Sequence, residues 1–239
     1  MSAKIFVIGI GPCRENYLTF EATEALKKSR VICGYKKYIE RIKPFAKNKI
    51  IYQNSMGGEV ERVKKAIEFA KNGLTTAIIS SGDASLYGMA SLALQLNNNI
   101  DIDIIPGLTA AFAASARIGA IISEDTVILS LSDILTPWEL IKKRIDAINM
   151  GDFVCAIYNP KSKKRTTQLP YTLNEFFAKR GNLLCGCVKN CMCENEEIKI
   201  STIMDFDYEF VDMSTVVVVG NTKTYLKNNK LITPRGYKL

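Results

Sequence analysis

The strongest constraint on the fold is a recurring order of segments in the first half of the chain. Lys4 to Ile10, Thr75 to Ser80 and Ile100 to Ile105 are short runs rich in β-branched residues, and each leads into a glycine-bearing loop and then a stretch of helical character. Runs of this kind suit buried strands. Strands separated by helices need crossover connections, which build a largely parallel sheet covered by helices. The helical stretches carry their own signals. Thr19 to Lys28 opens on an N-cap threonine, has acidic Glu21 in its first turn and closes on Lys27 and Lys28, as the helix dipole favours. Gly57 to Asn72 sets Val60, Val63, Ile67 and Ala70 on one face, and Gly73 stops it. Ser85 to Leu96 and Thr109 to Ile118 complete the pattern. The expected fold class is α/β.

The second half reads differently. Val127 to Leu131 and Asp152 to Tyr158 are expected strands, with a helix from Pro137 to Asn149 between them. Thr166 to Arg180 is an expected helix whose beginning Pro170 disturbs. Leu183 to Val188, Glu197 to Thr202 and Thr215 to Val219 then follow with little helix between, which predicts a mixed or antiparallel sheet. The boundary is expected between Gly119 and Glu124, giving domains 1–120 and 121–239. No internal repeat is visible.

Composition narrows the chemistry. The chain has 239 residues, 47% hydrophobic and 23% charged, which excludes a disordered or low-complexity function. It has no histidine, so Ser–His and Cys–His catalysis and His-ligated metal sites are excluded. Lys and Arg number 32 against 24 Asp and Glu, and the net charge of +8 points to an anionic partner. The longest nearly uncharged stretch, Ile104 to Ala116, contains Pro106 and Gly107 and is too short to span a bilayer, so no membrane partner is expected. The opening MSAKIFVIGIGP runs into a glycine turn unlike a secretory signal, and the seven cysteines read as reduced thiols of a cytoplasmic protein.

Three loops could carry chemistry. Gly9-Ile10-Gly11-Pro12 lacks the third glycine of a dinucleotide fingerprint, where Arg14 stands, and Pro12 removes a backbone N–H that a phosphate cradle would use. Ser80 to Gly88 and Pro106 to Ala110 are the other two. Taken singly, Asp83, Ser85 and Thr109 read as helix caps; three such loops on one sheet edge favour a ligand pocket.

These segments, GIGP, SGDASLYGMA and IPGLTAAFAA, resemble the cofactor loops of the tetrapyrrole methyltransferase superfamily. Within it, SLSDILTPWE, AIYNPKSKKR, VVVVGNT and TPRGY, together with GYKKYIE and GGEVERVKKAIEFA, resemble the precorrin-3B and cobalt-factor III C17-methyltransferases. The resemblance implies two α/β domains with S-adenosylmethionine bound in the cleft between them, becoming S-adenosylhomocysteine, and a homodimer. It implies methylation of C17 of a polyanionic tetrapyrrole, coupled to ring contraction, in cobalamin biosynthesis. Cobalt would enter only as part of the substrate. Carried over by motif, Pro12, Gly82, Asp83, Leu86, Thr109, Ala110, Tyr158, Asn159 and Asn190 would line the cofactor. The chain departs from the pattern at Cys13, at Ala84-Ser85 and at Cys191.

The basic run Lys161, Lys163, Lys164 and Arg165, with Ser132, is the expected grip on substrate carboxylates. Asp133, Asp83, Tyr158 and a carboxylate of the substrate itself are candidates for the proton removal that ring contraction needs; Asp133 reads equally well as a helix cap. Cys185, Cys187, Cys191 and Cys193 have C-x-C spacing, unlike the usual zinc pattern, and read as small buried residues, so no metal is expected. Trp138 reads either as core or as a stacking surface for the macrocycle. Alternatives are a superfamily enzyme for another ring position, or a methyltransferase of ribosomal RNA ribose. No RNA-binding motif is evident, so no nucleic-acid partner is expected.

Overall fold

The computed structural model describes residues 3–97 and 99–238. The chain divides into two compact units after Thr109. In the first, β1 (Ile5–Gly9), α1 (Phe20–Lys28), β2 (Val31–Tyr35), α2 (Lys36–Arg41), α3 (Lys43–Ala46), β3 (Ile50–Asn54), α4 (Glu59–Lys71), β4 (Thr76–Ser80), α5 (Ala90–Leu96) and β5 (Ile102–Ile105) follow in order. The five strands form one sheet in the order β3-β2-β4-β1-β5, all parallel. Alternation along β1 explains the two layers of core. Ile5 and Val7 pack with Val63, Ala66 and Ala70 of α4, while Phe6 and Ile8 pack with Ala22, Ala25 and Leu26 of α1. The Thr19 side chain caps α1 by accepting from the Ala22 N–H at 3.0 Å, a contact worth about 1 kcal/mol.

The second unit holds α6 (Ala110–Ile118), β6 (Gly119–Ala120), β7 (Thr126–Ser130), α7 (Trp138–Met150), β8 (Val154–Tyr158), α8 (Gln168–Arg180), β9 (Leu184–Lys189), β10 (Glu197–Thr202), β11 (Thr215–Val219), β12 (Tyr225–Lys227) and β13 (Lys230–Ile232). Its main sheet has the order β10-β9-β11-β8-β7 and is mixed: β7 and β8 are parallel, the other pairs antiparallel. A three-stranded sheet, β12-β13-β6, stands beside it. Leu129, Ile157, Cys185, Cys187 and Val217 face α7 and α8 in one core.

Four local expectations are corrected. The chain divides before α6, not between Gly119 and Glu124. α6 belongs to the second unit because Ile118 packs over Gly186 of β9, where a methyl group would meet its Cδ1 at 2.6 Å. α5 begins at Ala90, not Ser85, because the Asp83 carboxylate holds the Ser85 and Leu86 N–H groups in a turn. On α4 the buried face is Arg62, Val63, Ala66 and Ala70, whereas Val60 is exposed. Pro170 interrupts nothing: it lies in the first turn of α8, where its missing N–H has no intrahelical acceptor to lose.

Candidate functional site

The three glycine-bearing loops follow β4, β1 and β5, which are neighbours in the parallel sheet, so all three leave the same carboxyl edge. They are joined backbone to backbone. Gly11 and Gly82 exchange paired N–H···O bonds of 3.0 Å each. A methyl group on Gly9 would lie 2.7 Å from the Gly107 nitrogen, 2.7 Å from the Gly82 oxygen and 2.9 Å from the Ala84 nitrogen. Glycine at these positions is therefore what lets the loops meet. Gly82 also has φ +68°, and a methyl there would make only ordinary contacts, with the Thr109 Cα at 3.9 Å and the Leu108 oxygen at 4.0 Å.

Asp83 ties two of the loops together. One carboxylate oxygen accepts from the Ser85 N–H at 2.8 Å, the Leu86 N–H at 3.1 Å and the Ser85 hydroxyl. The other accepts from the Gly107 N–H at 2.9 Å. Partial burial alone would raise its pKa, but the Ser85 hydroxyl and the three backbone donors outweigh that and hold it below the ordinary carboxylate value. A carboxylate so engaged is a weaker base than a free one. Arg41 of α2 clamps the same loop from the other side, donating to the Ser81 hydroxyl at 2.8 Å while lying over the Tyr38 ring. Pro12 and Thr109 are buried here and Leu86 is half-buried, so the first unit gathers Pro12, Gly82, Asp83, Leu86 and Thr109 at one edge.

The second unit also collects its candidates at one edge. β8 and β9 are both antiparallel to β11, and β7 is parallel to β8, so the carboxyl ends of β7, β8 and β9 coincide. There the Tyr158 hydroxyl accepts from the Ala111 N–H at 2.7 Å, next to Ala110 at the start of α6. Asn159, at φ +52°, donates its amide to the Ser130 hydroxyl at 2.9 Å, and the Ser132 N–H donates to the same oxygen at 3.2 Å. Asn190, at φ +49°, follows β9 and donates its N–H to the Ser214 carbonyl at 3.1 Å. Asp133 caps no helix. It accepts from the Gln168 amide at 2.9 Å and lies 4.0 Å from the Arg165 guanidinium.

The basic run does not act as one cluster. Arg165 is buried, with its Nε donating to the Asn159 carbonyl at 3.1 Å and its N–H to the Ser162 hydroxyl at 3.0 Å. Lys161 donates to the Tyr208 carbonyl at 2.8 Å and lies 3.4 Å from Glu209. These two positions brace the loop; Lys163 and Lys164 are exposed. Trp138 is half-buried and packs against the α7–α8 core with its ring edge-on to Tyr171. Cys185 and Cys187 share the core face of β9. Burial pushes the Cys185 thiol up to about 11 and that of Cys191 to about 12. Cys33 and Cys155 are free thiols too. Sequence reasoning missed Arg41 and Arg62. The signal for Arg62 was a charge placed on the apolar stripe of α4, one position before Val63.

Residues 4–207 match the model of the family described as tetrapyrrole (corrin/porphyrin) methylases. The chain belongs to that family, and it is a methyltransferase. It is 42% identical over 98% of its length to a protein of Salmonella typhimurium named probable cobalt-factor III C(17)-methyltransferase, 99% of which is covered. It is 39% identical to the cobalt-factor III methyltransferase of Priestia megaterium over 100% of its own length, and spans 46% of that longer chain. Among solved structures, that of the methyltransferase CobJ superposes with a TM-score of 0.92 at 34% identity, covering 98% of this chain and 100% of the other.

Proposed function

We propose that this protein transfers a methyl group from S-adenosylmethionine to C17 of a precorrin-3-type tetrapyrrole, the cobalt-containing factor III form foremost, with ring contraction, in cobalamin biosynthesis. The observation that carries the cofactor assignment is the junction of Gly9, Gly82 and Gly107, where three loops meet backbone to backbone at the carboxyl edge of the parallel sheet. The substrate assignment is supported by the likeness over almost the whole length to a protein named for that reaction.

The residues present fit the cofactor: a glycine junction lets a ligand approach the backbone, and Pro12, Gly82, Asp83, Leu86 and Thr109 surround it. Ala110, Tyr158, Asn159 and Asn190 are the candidates in the second unit. When bound, S-adenosylmethionine supplies an electrophilic methyl carbon, so the protein needs no side-chain nucleophile and a chain without histidine suffices. Its tasks are to hold the carbon nucleophile in line and to exclude water. Lys163 and Lys164 meet substrate carboxylates at the mouth of the second unit's edge. Ser132 contributes a polar contact beside them. Asp133, with one oxygen on Gln168, is the carboxylate that takes up a proton during ring contraction, and Tyr158 positions the start of α6. The same reading takes the working assembly to be a homodimer in the cytoplasm.

Incubation with S-adenosylmethionine and cobalt-factor III, followed by mass spectrometry and carbon NMR, tests this. The expected product carries one added methyl on C17. Methyl transfer to another ring carbon, or none to either the cobalt-bearing or the metal-free macrocycle, refutes it.

A further inference from the structure

At the carboxyl end of β3 the first unit buries a cation without a carboxylate partner among the described residues. Arg62 is 3% exposed. Its Nε and Nη2 donate to the Asn54 side-chain oxygen at 3.0 and 2.7 Å, Nη2 also reaches the Ser55 carbonyl at 3.2 Å, and Nη1 faces the Met89 sulfur. A guanidinium taken out of water ordinarily has an anion beside it, because neutral acceptors only partly repay its lost hydration. Here the residues it holds, Asn54 and Ser55, are walls of a cavity of about 600 Å³.

Tyr35, Lys36, Lys37 and Glu40 form the facing wall. Two exposed lysines and the buried arginine set three positive charges around one carboxylate, so the cavity favours an anion. Its volume suits a carboxylate-bearing arm and part of a larger body rather than a lone ion. Its position matters equally. β2 and β3 are parallel to β4 and β1, so the cavity opens on the same sheet edge as the glycine junction. The helix that supplies Lys36 and Lys37 is fastened to the loop carrying Gly82 through Arg41 and Ser81.

We propose that this cavity is a subsite for carboxylate side chains of the macrocyclic substrate, contacted by Lys36 and Lys37 and held in shape by Arg62 through Asn54. The proposal rests on the methyltransferase reading above. The cofactor's own carboxylate is the other source of the same chemistry, and the experiment separates the two.

The test uses the full chain with Lys36→Gln and Lys37→Gln combined, and a control with Lys43→Gln and Lys47→Gln, exposed lysines that do not line the cavity. Uroporphyrin III, a macrocycle with carboxylate arms, is titrated by fluorescence and S-adenosylhomocysteine by calorimetry. The cavity variant should bind uroporphyrin III roughly tenfold more weakly, as two partly exposed charge contacts allow, with S-adenosylhomocysteine affinity unchanged. The control should lose less than about twofold. Equal losses in both variants would reduce the effect to general charge and overturn the subsite, as would no loss in either. Weakened S-adenosylhomocysteine binding in the cavity variant would assign the cavity to the cofactor instead. Wild-type protein that binds S-adenosylhomocysteine but neither uroporphyrin III nor cobalt-factor III would refute the substrate reading itself.

Discussion

Replacing Gly9 with alanine tests whether the three loops are joined as described. The added methyl would meet three backbone atoms, at 2.7, 2.7 and 2.9 Å, and no side chain is present to rotate away. Relief requires the loops to part by more than half an ångström, which also stretches the paired Gly11–Gly82 bonds of 3.0 Å. Overpacking of a close-packed site costs about 1–3 kcal/mol, and each weakened backbone bond adds about 0.5–1.5 kcal/mol. The sum is about 2–6 kcal/mol, and about 2–4 °C per kcal/mol converts it to a melting point lower by roughly 4–24 °C. The reference is Gly73→Ala, where a methyl meets nothing within 4 Å and only φ +81° is unfavourable, at about 1–2 kcal/mol. Calorimetric melting and S-adenosylhomocysteine titration of both variants form the assay. A Gly9→Ala protein that melts no lower than Gly73→Ala would refute the junction. One that melts lower yet binds S-adenosylhomocysteine as well as wild type would keep the junction as scaffold and remove it from the cofactor site.

Asp83→Asn cannot accept the Gly107 N–H while keeping its other bonds, and after allowance for solvent it should lose about 1–2 kcal/mol at neutral pH. Because the native carboxyl titrates below its ordinary value of 3.8, its contribution is present above that value and lost as pH falls through the folded pKa, so the gap to wild type should narrow in acid denaturation; a constant gap would contradict the assignment. Arg165→Gln should destabilise by about 2–4 kcal/mol in urea melts, whereas Lys163→Gln with Lys164→Gln should stay within about 0.5 kcal/mol and weaken macrocycle binding alone; equal effects would show that the buried and exposed members of the run do not differ. The Cys33 and Cys155 thiols are pushed from 9.0 up to about 12 by burial, so the stability they contribute is full below pH 9 and is lost as pH rises toward 12. Cys155→Ala should flatten part of that alkaline loss in urea midpoints, and an unchanged slope would count against it.

What the sequence made legible was local. Thr19 is a cap because its own helix starts at the next residue, and the structure places its oxygen on the Ala22 N–H. The C-x-C pair on β9 shares the core face because a strand has period two. The three loops were recognisable by glycine and by position after a strand, but that their strands are neighbours is a property of sheet order, which local pattern does not carry. Asp83 shows the limit most clearly. Within its own loop it looks like a cap, and half of it is one; the bond to Gly107 comes from a segment 24 residues away. β3 leaves a faint trace in the sequence for a different reason. It is an edge strand with Ile50 and Gln53 exposed, so its alternation is weak.

Charge was the signal most easily misplaced. The run from Lys161 to Arg165 attracts notice because five consecutive residues include four cations, yet a folded loop needs internal donors, and Arg165 and Lys161 are spent on backbone carbonyls. Arg62 attracted none, being a single charge in an amphipathic helix. The energetic weight runs the other way. An exposed lysine is solvated whether or not an anion is bound, so each such contact, at Lys36 and Lys37 as at Lys163 and Lys164, contributes only about 0.2–1 kcal/mol. A buried guanidinium has already lost its water, and the field it projects into the cavity walled by Asn54 and Ser55 is weakly screened. Fixed, desolvated charge of this kind orients a polyanion, while mobile surface charge chiefly raises its rate of encounter. On that physical ground, if the substrate is the polyanion proposed above, Lys163 and Lys164 would chiefly speed its encounter, and the pocket walled by Asn54 and Ser55 would orient the arm it holds.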